Sequence, residues 1–178
     1  AVAAAPAAIR GSAAGHNYSA IAFFGLDRSA DGERALRKAL EKSPGHDWTR
    51  RRLADHLLEE NRPDEVLDLL AKGDVREVPS WQLTLVARAA AKCKRRDVAE
   101  AALRELLGRS EVACDDLDAI AKALRADDAR RLASIRKDFA DDESPAVVVN
   151  LLHLHAILGE SGKFMAQFAR LWKVFDDS

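Results

Sequence analysis

Cysteine is almost missing from this sequence: Cys93 and Cys114 are the only two, and they form no Cys-x-x-Cys pair. A disulfide framework is thereby excluded, and both side chains read as small buried apolar groups in a reducing compartment. Glycine and proline are sparse as well, with nine and five in 178 residues, while alanine, leucine, arginine, aspartate and glutamate dominate. That balance favours helix, because alanine and straight-chain residues lose little side-chain entropy there. A surplus of either charge is also lacking, with 28 basic against 29 acidic residues. Nucleic-acid binding draws on a clustered positive field, so neutrality argues against it without excluding a local stripe. No apolar run approaches the roughly 20 residues that span a bilayer, so a soluble chain with no direct membrane insertion is expected.

Acidic residues are absent from the beginning of the chain, where Asp27 is the first. The stretch AVAAAPAAIRGSAAGHNYSA is alanine-rich, with serines and Arg10, a composition shared by organellar transit peptides. It reads as the trimmed end of a mitochondrial precursor or as an ordinary Ala-rich tail. Residues 1–16 are assigned to this processed extension, and 17–178 to a single helical-repeat domain.

What is present is a repeat. Trp48 and Trp81 lie 33 residues apart, as do Asp64 and Asp97, Arg62 and Arg95, Ala54 and Ala87, and Leu70 and Leu103; Asp31 stands another 33 before Asp64. A period of about 33–35 residues is that of stacked helical hairpins. In the clearest unit Asp47 is placed to cap a helix with Trp48, Leu53, Ala54, Leu57 and Leu58 as its apolar residues. The turn Asn61-Arg62-Pro63 follows, with Pro63 suited to a first helical position. Asp64 and Glu65 complement the dipole of the next helix, and Gly73 is a natural stop. Ser80, Trp81 and the basic turn Lys92–Arg96 repeat this plan.

Upstream, Tyr18 to Phe24 is expected as a short first helix, with ERALRKALEK as its partner, ended by Ser43-Pro44-Gly45. Downstream, helices are expected from Asp115 or Asp116, from Asp127 or Asp128, and from Ser144-Pro145. In a final helix Phe164, Phe168, Leu171, Trp172 and Phe175 share one face, expected to pack on the helix before it. The fold class is all-α, an α-solenoid of about five hairpins.

ADHLLEENRPDEVLDLLAKG and ARAAAKCKRRDVAEAALRELLGR resemble pentatricopeptide repeats and, less closely, tetratricopeptide repeats. In the last hairpin LGESGKFMAQFARLWKVF the Gly-Lys turn is kept, but Met165 stands where the acidic residue belongs. More specifically, the chain resembles the pentatricopeptide-like accessory subunits on the catalytic head of the euglenozoan, including trypanosome, mitochondrial F-type ATP synthase. The points of resemblance are its size, the turns around Arg62-Pro63-Asp64 and Arg95-Arg96-Asp97, and the transit-like start. The resemblance implies a non-catalytic protein-binding subunit in the mitochondrial matrix, peripheral to the inner membrane through its complex. Its implied partner is a large subunit of that head.

Candidate chemistry falls away on inspection. Gly159-Glu-Ser-Gly162-Lys163 lacks the first glycine and the Ser or Thr of a phosphate loop, since Ile157 and Phe164 occupy those places. His153 and His155 are two apart and diverge on a helix, and His56 with Glu60 has no further ligand in sight. No catalytic, cofactor or metal residues are expected. The basic clusters Arg50–Arg52, Lys92–Arg96 and Arg130-Arg131 with Arg136-Lys137 leave an organellar RNA-binding or ribosome-associated protein as the alternative. Thr49–Arg52 and Gln82–Leu85 repeat no polar base-reading code, however. The expected partner contacts are polar first-helix residues: Arg50, Arg51, Asp55 and Gln82.

Overall fold

The computed structural model describes residues 11–110, 117–118, 120–121 and 129–176. Among them every regular element is a helix: α1 (Ala13–Phe24), α2 (Ser29–Lys42), α3 (Asp47–Glu59), α4 (Pro63–Leu70), α5 (Ser80–Lys92), α6 (Arg96–Leu107), α7 (Ala129–Asp138), α8 (Pro145–Ile157) and α9 (Ser161–Asp176). The fold class is the expected one, all-α and assembled from helical hairpins as an α-solenoid is. Helices α1 and α2, α3 and α4, α5 and α6, and α8 and α9 pack pairwise. The first helix of the fourth hairpin lies mostly outside the described residues, although Leu117, Ile120 and Ala121 are buried.

The chain packs as two compact units, Ala1–Leu70 and Ala71–Ser178, whereas the repeat reading treats 17–178 as one domain. Trp48 and Trp81 are each the second residue of a first helix, and Asp64 and Asp97 each the second of a second helix. The 33-residue register is therefore a structural one. The hairpin turns share one geometry. Asp27, Asn61, Lys94 and Gly159 all adopt positive φ, between 55° and 68°. In each case the next amide reaches back five residues: Arg28 N donates to Phe23 O (2.9 Å), Arg62 N to Leu57 O (2.8 Å), Arg95 N to Ala90 O (2.8 Å) and Glu160 N to His155 O (2.9 Å). This is the Schellman closure, which satisfies carbonyls that a helix end leaves open.

Several local expectations are corrected. Helix α1 begins at Ala13, inside the stretch assigned to the extension, because Ser12 Oγ accepts from Gly15 N and caps it. The cap of α3 is His46, whose Nδ1 accepts from Thr49 N, and not Asp47, which is the first helical residue. Helix α5 has Pro79 at its cap and Ser80 inside it.

The core of the first unit is Leu36, Leu53, Leu57, Val66, Leu67 and Leu70; that of the second gathers Leu83, Leu103, Leu106, Leu107, Ile135, Leu151 and Leu154. Two polar devices join neighbouring hairpins. In the second unit Asn150 is buried on α8, and its Nδ2 donates to Leu106 O (3.3 Å), Leu107 O (2.9 Å) and Arg109 O (2.8 Å). It thereby closes the carbonyl end of α6 from another hairpin.

In the first unit Glu33 accepts from Arg62 (Nη1, 2.7 Å) and Arg37 (Nε, 2.8 Å), and lies 3.5 Å from Nε2 of the buried His56. Both arginines also reach Glu65, at 2.6 Å each. The Arg62 hydrogen bonds, opposed by burial and joined by Arg37, hold the Glu33 carboxyl down at about 2, against an ordinary 4.5. A carboxylate with a depressed folded pKa contributes stability that is complete above its unfolded pKa and lost as pH falls through the folded one. Glu33→Gln is therefore expected to lower stability at neutral pH, with the difference from wild type closing between about pH 5 and pH 2. Urea unfolding followed by circular dichroism across that range checks this, and a constant difference would contradict it.

Candidate protein-interaction surface

Helix α1 carries no Asp, Glu, Lys or Arg, and alanine and phenylalanine recur along it. A helix that is apolar all round needs cover on more than one side. Helix α2 packs against one side, and Ala20 is buried. The other stays open: Tyr18 is 66% and Ile21 53% exposed. Beside them Trp48, at the start of α3, is 43% exposed. Ala13, Ala14, Asn17, Tyr18, Ile21, His46 and Trp48 line a groove of about 440 Å³ between the first helices of two successive hairpins.

The floor of the groove is rigidly tied. Thr49, fully buried, donates its hydroxyl to Asn17 Oδ1 (2.9 Å), and its Oγ1 lies 2.7 Å from His46 Nδ1. Buried polar groups linked this way fix α1 against α3, since breaking the chain would strand them unpaired. Just behind, the Arg52 guanidinium sits 5.0 Å over the Phe24 ring, and that ring lies 5.1 Å from His56. An apolar surface held ready by such ties can accept apolar side chains with little reordering.

The residues expected from sequence to meet a partner are placed unequally. Arg51 is exposed on α3, and with the half-buried Asp55 it follows Trp48 at positions three and seven along, on the same face. Arg50 turns away and pairs with Asp47 at 3.7 Å. Gln82 belongs to the other unit and is buried at 3% exposure, so its side chain is not available to a partner. Trp48, read with Leu53 and Leu57 as an apolar residue of its helix, is part of the open surface, as are Tyr18 and Ile21. The signal that locates them is the lack of Asp, Glu, Lys and Arg in AAGHNYSAIAFF: a solvated helix face ordinarily carries some.

A second apolar surface departs from expectation. On α9 Phe164 and Leu171 are partly buried, but Phe168 (43%) and Trp172 (66%) are exposed together with Met165 (60%). Phe175 lies outside the described side chains. The position turned inward is Gln167, which donates to Val148 O at 3.4 Å. The stripe at 164, 168 and 172 therefore only grazes the preceding helix, and its outer edge faces solvent.

Compared with known families, residues 25–83 match the tetratricopeptide repeat model. The match runs from the turn before α2 to the first turn of α5; it contains the first of the two segments that carry the sequence resemblance and ends before the second. No curated protein and no solved structure matches the chain. The chain thus contains a tetratricopeptide-type helical repeat, a kind of repeat that generally mediates protein–protein interaction and is typically a non-catalytic scaffold.

Proposed function

We propose that this chain is a non-catalytic, protein-binding subunit and that it serves on the catalytic head of a mitochondrial F-type ATP synthase, in the matrix. The observation that carries the protein-binding part is the uncharged groove of Tyr18, Ile21 and Trp48 between two first helices. Exposed aromatic side chains on a preorganised base are the typical anchors of protein interfaces. The tetratricopeptide match, which includes His46 and Trp48 of the groove, supports the same reading. The resemblance of the turns at Arg62-Pro63-Asp64 and Arg95-Arg96-Asp97, and of the Ala-rich start, supports the ATP synthase as the assembly.

Tagged protein purified from its source should bring down the nucleotide-hydrolysing head in stoichiometric amount. Tyr18→Ala combined with Trp48→Ala should weaken that association by about tenfold or more while thermal melting stays close to wild type. Recovery with ribosomes or RNA instead of the ATPase would replace this reading with the RNA-binding one. Retention of full affinity by the double variant would remove the groove from it.

A further inference from the structure

The second unit holds a cavity of about 270 Å³ between α7, α8 and α9, where Arg136, Lys137, His155, Lys163 and Gln167 meet the apolar wall of Leu151 and two alanines. Its size is below that of a pocket for a drug-sized ligand, and so suits a compact group. Among the described residues every polar side chain in the lining carries a hydrogen-bond donor, and none is a carboxylate. Glu160, close by, is shared among three of them. It accepts from Arg136, lies 2.9 Å from His155 Nδ1 and takes Lys163 Nζ at 3.4 Å. Lys137, exposed, adds a further positive charge. Among these described groups positive charge therefore exceeds negative charge around a partly desolvated space, where Coulomb interactions are stronger than in water.

Two further features point the same way. Gln167 stands on the inward face of α9, where the hairpin packing calls for an apolar residue, and it is only 6% exposed. A polar residue in a core position departs from the packing pattern in the way functional positions do. Lys163 lies in the first turn of the 16-residue α9, the end of a helix whose partial charge is positive.

We infer that this cavity binds a compact oxyanion, a phosphate or carboxylate group, held by Lys137 and Lys163 at its mouth with Arg136 and His155 behind them. The occupant is distinct from whatever partner the groove of the first unit takes, so the two readings stand or fall separately. The experiment is an NMR titration of the full chain at constant ionic strength, with inorganic phosphate in one arm and acetate in the other. Saturable shifts are expected at the amides of Arg136, His155, Lys163 and Gln167. Lys137→Gln with Lys163→Gln should weaken binding by at least about tenfold, from the loss of charge-assisted hydrogen bonds. Lys38→Gln with Lys42→Gln, in the other unit, should leave it unchanged. Both lysines of the first pair are exposed, and the melting curve of the double variant verifies that it folds. Phosphate binding more tightly than acetate identifies a phosphate group, and equal affinities identify a carboxylate. No saturation with either anion, or undiminished affinity in the Lys137/Lys163 variant, overturns the inference.

Discussion

Leu70→Asp and Leu103→Asp each unfold the unit that contains them at temperatures where the wild type is intact. Leu103 is 0% and Leu70 1% exposed, each on the packed face of a second helix. Losing the burial of a leucine costs about 1.5–3 kcal/mol. An aspartate there either remains ionised without a partner or must be protonated, which adds roughly as much again. A total above about 4 kcal/mol is a large part of the 5–15 kcal/mol typical of a domain. Since stacked hairpins support one another through their neighbours, Leu103→Asp should also loosen α5 and α8. Circular dichroism melts read the effect, and unchanged melting in both variants would refute the assigned register.

Asn150→Asp is the second large effect, and it changes a side chain by one group. The Nδ2 of Asn150 supplies protons to three carbonyl oxygens at 2.8–3.3 Å, within a residue that is 3% exposed. An aspartate in the same place has oxygens where the donor stood, facing oxygens. The carbonyls lose their partner, and a buried charge meets the negative end of the α6 dipole. A loss of about 3 kcal/mol or more is expected, concentrated in the second unit. Asn150→Leu should cost less, because it removes the donor without adding a charge. Hydrogen exchange at the α6–α8 contact separates the two variants. Equal stability of Asn150→Asp and wild type would mean that this bond set does not hold the hairpins together.

The periodic part of the fold was legible because two forces agreed on it. Burial fixed Leu53, Leu57, Leu70 and Leu103 at helical spacing, and Pro63 with Asp64 marked a helix start on local grounds. The turns were legible as turns, but not as one shared geometry. Glycine announces a left-handed residue at 159, whereas Lys94 adopts φ 58° with no such signal. The true cap of α3 was hidden for a similar reason, since histidine is an unusual capping residue and Asp47 next to it is a common one. At the candidate groove, apolar residues mark an open surface, which their character alone does not distinguish from a buried one. Spacing places a tryptophan on a face; only the neighbouring helix decides whether that face is covered, and among the described residues Trp48 stays 43% exposed. At the 33-residue offset Gln82 corresponds to the buried Thr49 and not to the exposed Arg51, so the polar residues expected at a partner lie on different faces of their helices.

Arg109 has a bearing on how the molecule is divided. Past the end of α6, its guanidinium donates to Val78 O (2.6 Å), Val75 O (3.1 Å) and Arg76 O (3.3 Å), while Glu105 balances its charge at 3.0 Å. The segment leading into α5 is therefore fastened to the hairpin that follows it. A fragment beginning at Ser80, where the repeat pattern starts, would remove those three carbonyls and leave Arg109 with only Glu105 and the Ser80 hydroxyl of these partners. A fragment beginning at Ala71 keeps the clasp whole. For this chain, the place to cut is set by a single arginine rather than by the period.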